Sequence, residues 1–280
     1  MAYIPLVVAL ASVTALIFHK VALSRQHMKL GDFVSLLFLF LFLFTVIFLP
    51  FNYKFVIQEA LSSWYLFLFI LMVFLAISSN YLSYQCIQKE KLSEYELIGT
   101  LGPTITILLT FAVYPKEFNI TVLIVSIIAF LALFFSHLEK KHFVFDQYSL
   151  RLLFSIALAS LEVMIIRQLL NVYSPVLLYT LRSGLIFIFF ASYFDPDLLG
   201  SLKKNWRVVA AAGFMGSIGM ILLFYGYENI GIVYSTLPLV ASPLLVLLLS
   251  SIFFKEKIKF KTIFGITVIL ACAVYINVFG

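Results

Sequence analysis

The 280-residue chain is 63% hydrophobic and only 11% charged, with a mean hydropathy of +1.10 and a formal net charge of +6. A soluble globular domain carries about 25% charged residues, so this composition excludes a water-soluble fold and leaves lipid as the solvent. The positive excess does not point to nucleic acid, because the Lys and Arg residues sit in connectors between apolar runs rather than on one aromatic-rich face.

A hydrocarbon core about 30 Å thick needs ~20 apolar residues per crossing helix. In chain order, runs of that length fall at Tyr3 to Leu23, Gly31 to Phe51, Ser62 to Cys86, Tyr95 to Tyr114 and Phe118 to Leu138. They continue at Ser149 to Asn171, Ser174 to Phe194, Arg207 to Tyr227, Gly231 to Phe254 and Phe260 to Phe279. A membrane barrel would show ~10-residue segments of alternating polarity, whereas runs such as Leu36 to Phe44 are apolar on every side. The expected fold is therefore an all-α membrane protein with ten transmembrane helices, and no segment is left over for an extramembrane enzyme module. Ala9-x-Ala11 mimics a signal-peptidase site, but it lacks a basic leader and the apolar run continues to Leu23, so the first run is expected to be a retained span.

Two features repeat. Ala9-Leu-Ala-Ser12 recurs as Ala157-Leu-Ala-Ser160, and Pro103 ahead of Lys116-Glu117 is echoed by Pro243 ahead of Lys255-Glu256. These echoes suggest two five-helix repeats, residues 1–138 and 149–280, joined by a connector over 139–148. Five is odd, so the copies would lie in the bilayer with opposite orientations, and inverted repeats around a midplane site are the build of many secondary transporters. The connector from Asp195 to Trp206 is expected to be the longest. Fifteen of the 19 Lys and Arg residues fall in or beside the odd connectors, while the even connectors hold only Lys54 and Lys116. By the positive-inside rule the odd connectors are cytoplasmic and both termini lie outside.

The chain resembles the ten-span EamA-type members of the drug/metabolite transporter superfamily. The resemblance is carried by Tyr225 through Tyr227-Glu-Asn-Ile-Gly231, Pro238 and Pro243 to Phe254-Lys-Glu256 and Gly265, which look like that family's last two spans. Asn80-Tyr-Leu-Ser-Tyr84 is similar to its third span, and Ser174-Pro175 with Arg182 to the start of its seventh. The Trp-Gly pair common in the family's first and sixth spans is replaced by Ser12-Val13 and Ser160-Leu161. The resemblance implies a multi-pass protein of the plasma membrane, with both termini in the cytoplasm, opposite to the reading from charge.

An ionised side chain at the bilayer centre costs at least about 3 kcal/mol, so each such residue needs a partner or a cavity. Glu162 is the fourteenth of the 23 residues from Ser149 to Asn171, too deep for a short carboxylate to reach water. It reads either as a cavity-facing group that takes up a proton or binds a substrate amine, or as half of a buried pair with Arg182 or Arg167. Arg182 lies nine residues into its span and suits a substrate carboxylate or phosphate, or else snorkels outward. Arg167 is expected to snorkel. His19 and Lys20 are expected to anchor the first span at the interface, Glu94 and Glu96 to cap the fourth helix, and Glu117, Glu228 and Glu256 to lie in solvated turns.

Asn80 and Tyr84, four apart, share a helix face and with Gln85 are expected to line a cavity; Tyr225 and Tyr234 join them as candidate substrate contacts. Isolated residues such as Thr104 and Thr106 read better as interhelical hydrogen bonds. Pro103, Pro238 and Pro243 free the carbonyls of Gly99, Tyr234 and Leu239 and mark hinges or static kinks. Gly213, Gly216 and Gly219 would let a neighbouring helix approach closely. The 31 Phe residues are expected to be lipid-facing bulk. Cys86 and Cys272 have no metal-ligand or disulfide spacing and read as inert thiols, so no metal and no cofactor is expected.

The function this favours is secondary transport of a small polar or amphipathic metabolite, such as an amino acid, with protons as the candidate coupling ion. No Walker motif is present to use ATP. A lipid-linked or nucleotide-sugar carrier is the nearest alternative, though it would need a wider or more basic cavity than two arginines suggest. An intramembrane enzyme would show paired Asp motifs, a Gly-x-Ser-x-Gly nucleophile or a His-Glu-x-x-His helix, and Asp195-Pro-Asp197 is an isolated pair. A channel would line an axial path with rings of like groups from several subunits.

Overall fold

In a lipid interior every backbone amide must find its partner within the chain, and the residues described by the computed structural model satisfy this with helices, with no strand among them. These residues are 4–51, 56–89, 92–99, 101–137, 147–242, 245–246 and 249. In chain order the helices are α1 (Ile4–Lys20), α2 (Leu30–Phe48), a short α3 (Ile57–Ala60), α4 (Ser63–Lys89), α5 (Leu92–Gly99), α6 (Leu101–Val113) and α7 (Ile120–His137). There follow α8 (Gln147–Leu169), α9 (Pro175–Phe194), α10 (Leu198–Asn229) and α11 (Ile232–Thr236), the last running into a 3-10 turn over Leu237–Ala241. Six of the helical runs, those of α1, α2, α4, α8, α9 and α10, are long and apolar enough to cross a bilayer. The described residues are all-α, and these helices mark an integral, multi-pass membrane protein. The run expected as the tenth span, Phe260 to Phe279, lies outside the described residues, as do Pro243, Glu256 and Cys272.

The long helices match the apolar runs closely, except at α10. Asp195 to Trp206 had read as a connector, yet α10 already begins at Leu198 and is 32 residues long. At about 1.5 Å per residue it extends roughly 48 Å, well beyond the hydrocarbon, so its polar first turns are helix in the headgroup layer rather than loop. Asp197 caps it, its Oδ1 accepting from the Gly200 amide at 2.9 Å, while Asp195 turns the chain at φ 45°. The start of α9 follows the same logic: Pro175 occupies the first helical position and the Ser174 hydroxyl accepts from the Leu177 amide.

Packing joins the two halves. α1 lies along α10, α4 along α8, and α2 along both α9 and α10, with α6 packed on α8. The glycines of α10 make part of this seam: a Cβ on Gly213 would stand 2.7 Å from the Phe40 Cβ, and one on Gly219 3.3 Å from the Ala11 Cβ. Phenylalanine serves both sides of the bundle, for Phe33, Phe38, Phe190 and Phe224 are fully buried while Phe67 and Phe74 of α4 face outward with Ile70.

Connecting contacts sort the helix ends onto two faces. On one, the Lys20 Nζ donates to the Ile87 carbonyl at 2.7 Å, Arg151 donates to Gln85, and Asp32 accepts from the Asp197 amide and the Ser201 hydroxyl. This face carries Lys20, Lys89, Arg151, Lys203, Lys204 and Arg207, and is the basic face. On the other, the Val56 amide donates to the Val172 carbonyl at 3.2 Å, and Glu117 meets residues at the end of α8 and the start of α11.

Candidate functional site

The centre of the bundle holds a charge pair. Arg182 of α9 donates through Nε to the Glu162 Oε1 at 2.5 Å and through a terminal nitrogen to Oε2 at 3.1 Å. Both residues are about 95% buried, Glu162 4% and Arg182 5% exposed. A two-bonded guanidinium–carboxylate contact is the strongest neutralisation two side chains can offer, and the Tyr179 ring lies against the guanidinium 5.7 Å away. Of the partners weighed for Glu162, Arg182 is the one that reaches it. Arg167 instead approaches Glu117, with its Nε 3.9 Å from Oε1.

The pair is not sealed in packing. Glu162 and Arg182 line a cavity with room for water centres over about 200 Å³, with Ser79, Asn80 and Ser83 of α4, Ser155 of α8 and Tyr227 of α10. The wall is held by hydrogen bonds between helices: the Ser155 hydroxyl donates to the Ser79 carbonyl at 2.7 Å, and the Thr106 hydroxyl to that of Ser160 at 3.0 Å. Asn80 anchors its amide nitrogen on the Ala76 carbonyl at 2.7 Å.

A second chamber, of about 280 Å³ by the same measure, adjoins the first and shares Asn80 and Ser83 with it. Its other walls include Ser12 and His19 of α1, Tyr84 of α4, Tyr95 and Gly99. His19 is not a solvent-facing anchor. Its ring sits edge-on to Phe33 and Tyr84, with centroids 5.6 and 5.3 Å away. Helix α5 ends at Gly99, whose carbonyl loses its amide partner to Pro103. The break in the fourth span thus borders this chamber.

The other residues singled out from sequence lie elsewhere. Gln85 accepts from Arg151 at 3.1 Å on the basic face. Tyr225 borders an apolar groove with Phe51 and Val176, and Tyr234 is 42% exposed and accepts from the Asn119 amide nitrogen at 3.2 Å. Pro238 stands where α11 tightens into the 3-10 turn. Glu117, expected in a solvated turn, is half-buried and accepts from the Val233 amide at 3.2 Å. Tyr227, Ser79, Ser83 and Ser155 line the first cavity without having been singled out as candidate contacts. Serines are common in membrane helices as packing residues, and only the position of Ser79 and Ser83 beside Asn80 hinted at more.

Among the described residues no group of three or more His, Cys, Asp or Glu side chains is placed to hold a metal ion. The buried Cys86 thiol donates to the Tyr148 carbonyl.

Comparison with known proteins agrees with this architecture. No curated protein matches the chain. Twenty-eight chains of solved structures do. One, titled only as a crystal structure of a protein, superposes with a TM-score of 0.70 over 97% of this chain and 96% of its own, at 14% identity. At that identity the likeness is one of fold. A model of the EamA-like transporter family matches residues 148–278. That family consists of membrane transporters, which are generally not enzymes. The second half of the chain is thus similar to the EamA-like transporter family, which is consistent with an EamA-type member of the drug/metabolite transporter superfamily.

Proposed function

We propose that the chain is a secondary transporter that moves a small zwitterionic or amphipathic metabolite, such as an amino acid, by alternating access between two inverted five-helix repeats, residues 1–138 and 149–280. The observation that carries this reading is the Glu162–Arg182 pair facing a cavity of mixed polar and apolar walls in the middle of the bundle. A neutral pair spares the empty cavity a net charge. A zwitterion entering it can exchange partners, its ammonium taking Glu162 and its carboxylate Arg182. Each bond broken is replaced by one of the same kind.

The helix packing supports the repeat. Exchanging each helix of the first half for its counterpart in the second turns the α1–α10 contact into the α8–α4 contact, and α2–α9 into itself. The contact of α6 on α8 likewise has its counterpart in the contact of the 3-10 turn after α11 on α1. A twofold relation between halves requires this pattern of pairing.

We assign access in this conformation to the basic face. The second chamber reaches the ends of α1 and α4 at His19 and Ile87. On the opposite face the Tyr114 hydroxyl bonds the Met164 carbonyl at 2.9 Å, and Glu117 ties the turn after α6 to the start of α11. Pro103 lies in α6 and Pro238 in the 3-10 turn after α11, the two elements on either side of this closure, and we assign them as its hinges. Proton coupling would use Glu162 in place of ammonium binding: a proton on its carboxyl would release Arg182 to a substrate carboxylate.

The test is a metabolite uptake and efflux profile in cells overproducing the protein, compared with Glu162→Gln and Arg182→Gln. Loss of one solute's flux in both variants supports the reading. Wild-type flux of an identified substrate in both removes it. Proton coupling is read separately in proteoliposomes: flux independent of the pH gradient and unchanged in Glu162→Gln would exclude it.

A further inference from the structure

The second chamber is furnished for something the charge pair does not explain. Tyr84 is 93% buried, from 7% exposure, yet its hydroxyl makes no hydrogen bond among the described residues. The half-buried Ser12 hydroxyl and the ring nitrogens of half-buried His19 likewise make no hydrogen bond among the described residues, and the His19 ring lies edge-on to two aromatic rings. All three line the chamber rather than packed protein. In most buried sites such groups find partners. Here they converge on one space, next to the charged cavity and joined to it at Asn80 and Ser83.

We propose that this chamber is a second subsite, which binds the tail of the cargo while Glu162 and Arg182 bind its head. The chemical class follows from the walls. Water in the chamber would satisfy the Tyr84 and Ser12 hydroxyls and the His19 nitrogen. A tail that displaces this water without replacing its bonds strands them and loses affinity. A neutral tail bearing donors and acceptors, such as a carboxamide, restores them. The Asn80 carbonyl oxygen, whose nitrogen is already held by Ala76, stands at the junction as a further acceptor. The preferred cargo is therefore a zwitterion with an uncharged, hydrogen-bonding side chain, and not one with an aliphatic chain of equal length. Sites that hydrogen-bond a substrate group discriminate far more steeply against its absence than apolar pockets do.

This inference rests on the reading of the charge pair as the head-group site, and the experiment separates the two. Dissociation constants for L-alanine, L-norleucine and L-glutamine are measured on the purified full-length protein in detergent, for the wild type, Tyr84→Phe and Ser12→Ala. The expected result is glutamine binding at least about tenfold more tightly than norleucine, with the ratio falling below about threefold in Tyr84→Phe and shrinking in Ser12→Ala. A ratio near one in the wild type, or one unchanged in both variants, overturns the second subsite. If alanine still binds in that case, the head-group reading stands. Binding by none of the three overturns both.

Discussion

The Glu162–Arg182 pair can be tested as both structure and site with a double-mutant cycle. Glu162→Gln keeps shape and volume but leaves a guanidinium, 95% buried from its 5% exposure, without its counter-charge. Breaking a buried pair from one side costs about 3–5 kcal/mol. Water in the adjoining cavity can solvate part of the stranded group, which favours the lower end, about 3 kcal/mol. With roughly 2–4 °C of melting temperature per kcal/mol for a chain of this order of size, each single variant should melt about 6–12 °C below the wild type in detergent. The double variant Glu162→Gln with Arg182→Gln contains no unpaired charge, and two amides can bond one another. Its melting temperature should recover at least half of the summed loss, a coupling that only contacting residues give. Transport should not recover with it: all three variants should carry less than a tenth of wild-type flux. Additive melting losses would refute the pairing, and a stable double variant that transports normally would show that the pair is scaffold alone.

Glu117→Gln removes the charge that holds Val233 and Arg167 together on the face opposite the basic one. It should raise the reactivity of a cysteine introduced at Ala159, in the cavity wall, from that face severalfold, read with a membrane-impermeant thiol reagent. Gly213→Ala puts a Cβ 2.7 Å from the Phe40 Cβ, so α2 and α10 must separate. Overpacking of this kind costs about 1–3 kcal/mol, and thermal unfolding should show a larger loss than for Gly219→Ala, where the nearest atom is 3.3 Å away. Asp197→Ala removes the cap of α10 and should cost about 1 kcal/mol, measured in the same way.

How much of this was legible in the residues depends on range. The positions of the six long spans were, because the hydrocarbon core imposes a length that composition alone reveals: the expected Gly31 to Phe51 corresponds to an observed apolar run of Leu30–Phe51. The first turns of α10 were not, since Lys203, Lys204 and Asn205 are equally suited to a loop in water and to a helix among headgroups. Glu162 stood out as a charge in an apolar run, but its partner could not be chosen from sequence. Arg182 is 20 residues away and Arg167 five, and only the mutual rotation of α8 and α9 decides between them. Contacts across still greater separations were invisible. His19 meets Tyr84 through the packing of α1 on α4, and Glu117 reaches Val233 across 116 residues. The serines around Asn80 illustrate another limit. Ser79, Ser83 and Ser155 are ordinary small residues in sequence and become a polar wall only when α4 and α8 lie together.

The most direct test of the account is the accessibility of the cavity from the two sides of the membrane. A single cysteine replaces Ala159, in the cavity wall, in a chain whose Cys86 and Cys272 are changed to Ser. Oriented proteoliposomes then receive an impermeant maleimide on one side or the other. The account predicts labelling from the basic face in the otherwise unaltered protein, and labelling from both faces once Glu117→Gln is added. A cysteine that reacts from neither face in either protein would contradict it, because the space around Glu162 and Arg182 would then be a closed interior and not a transport site.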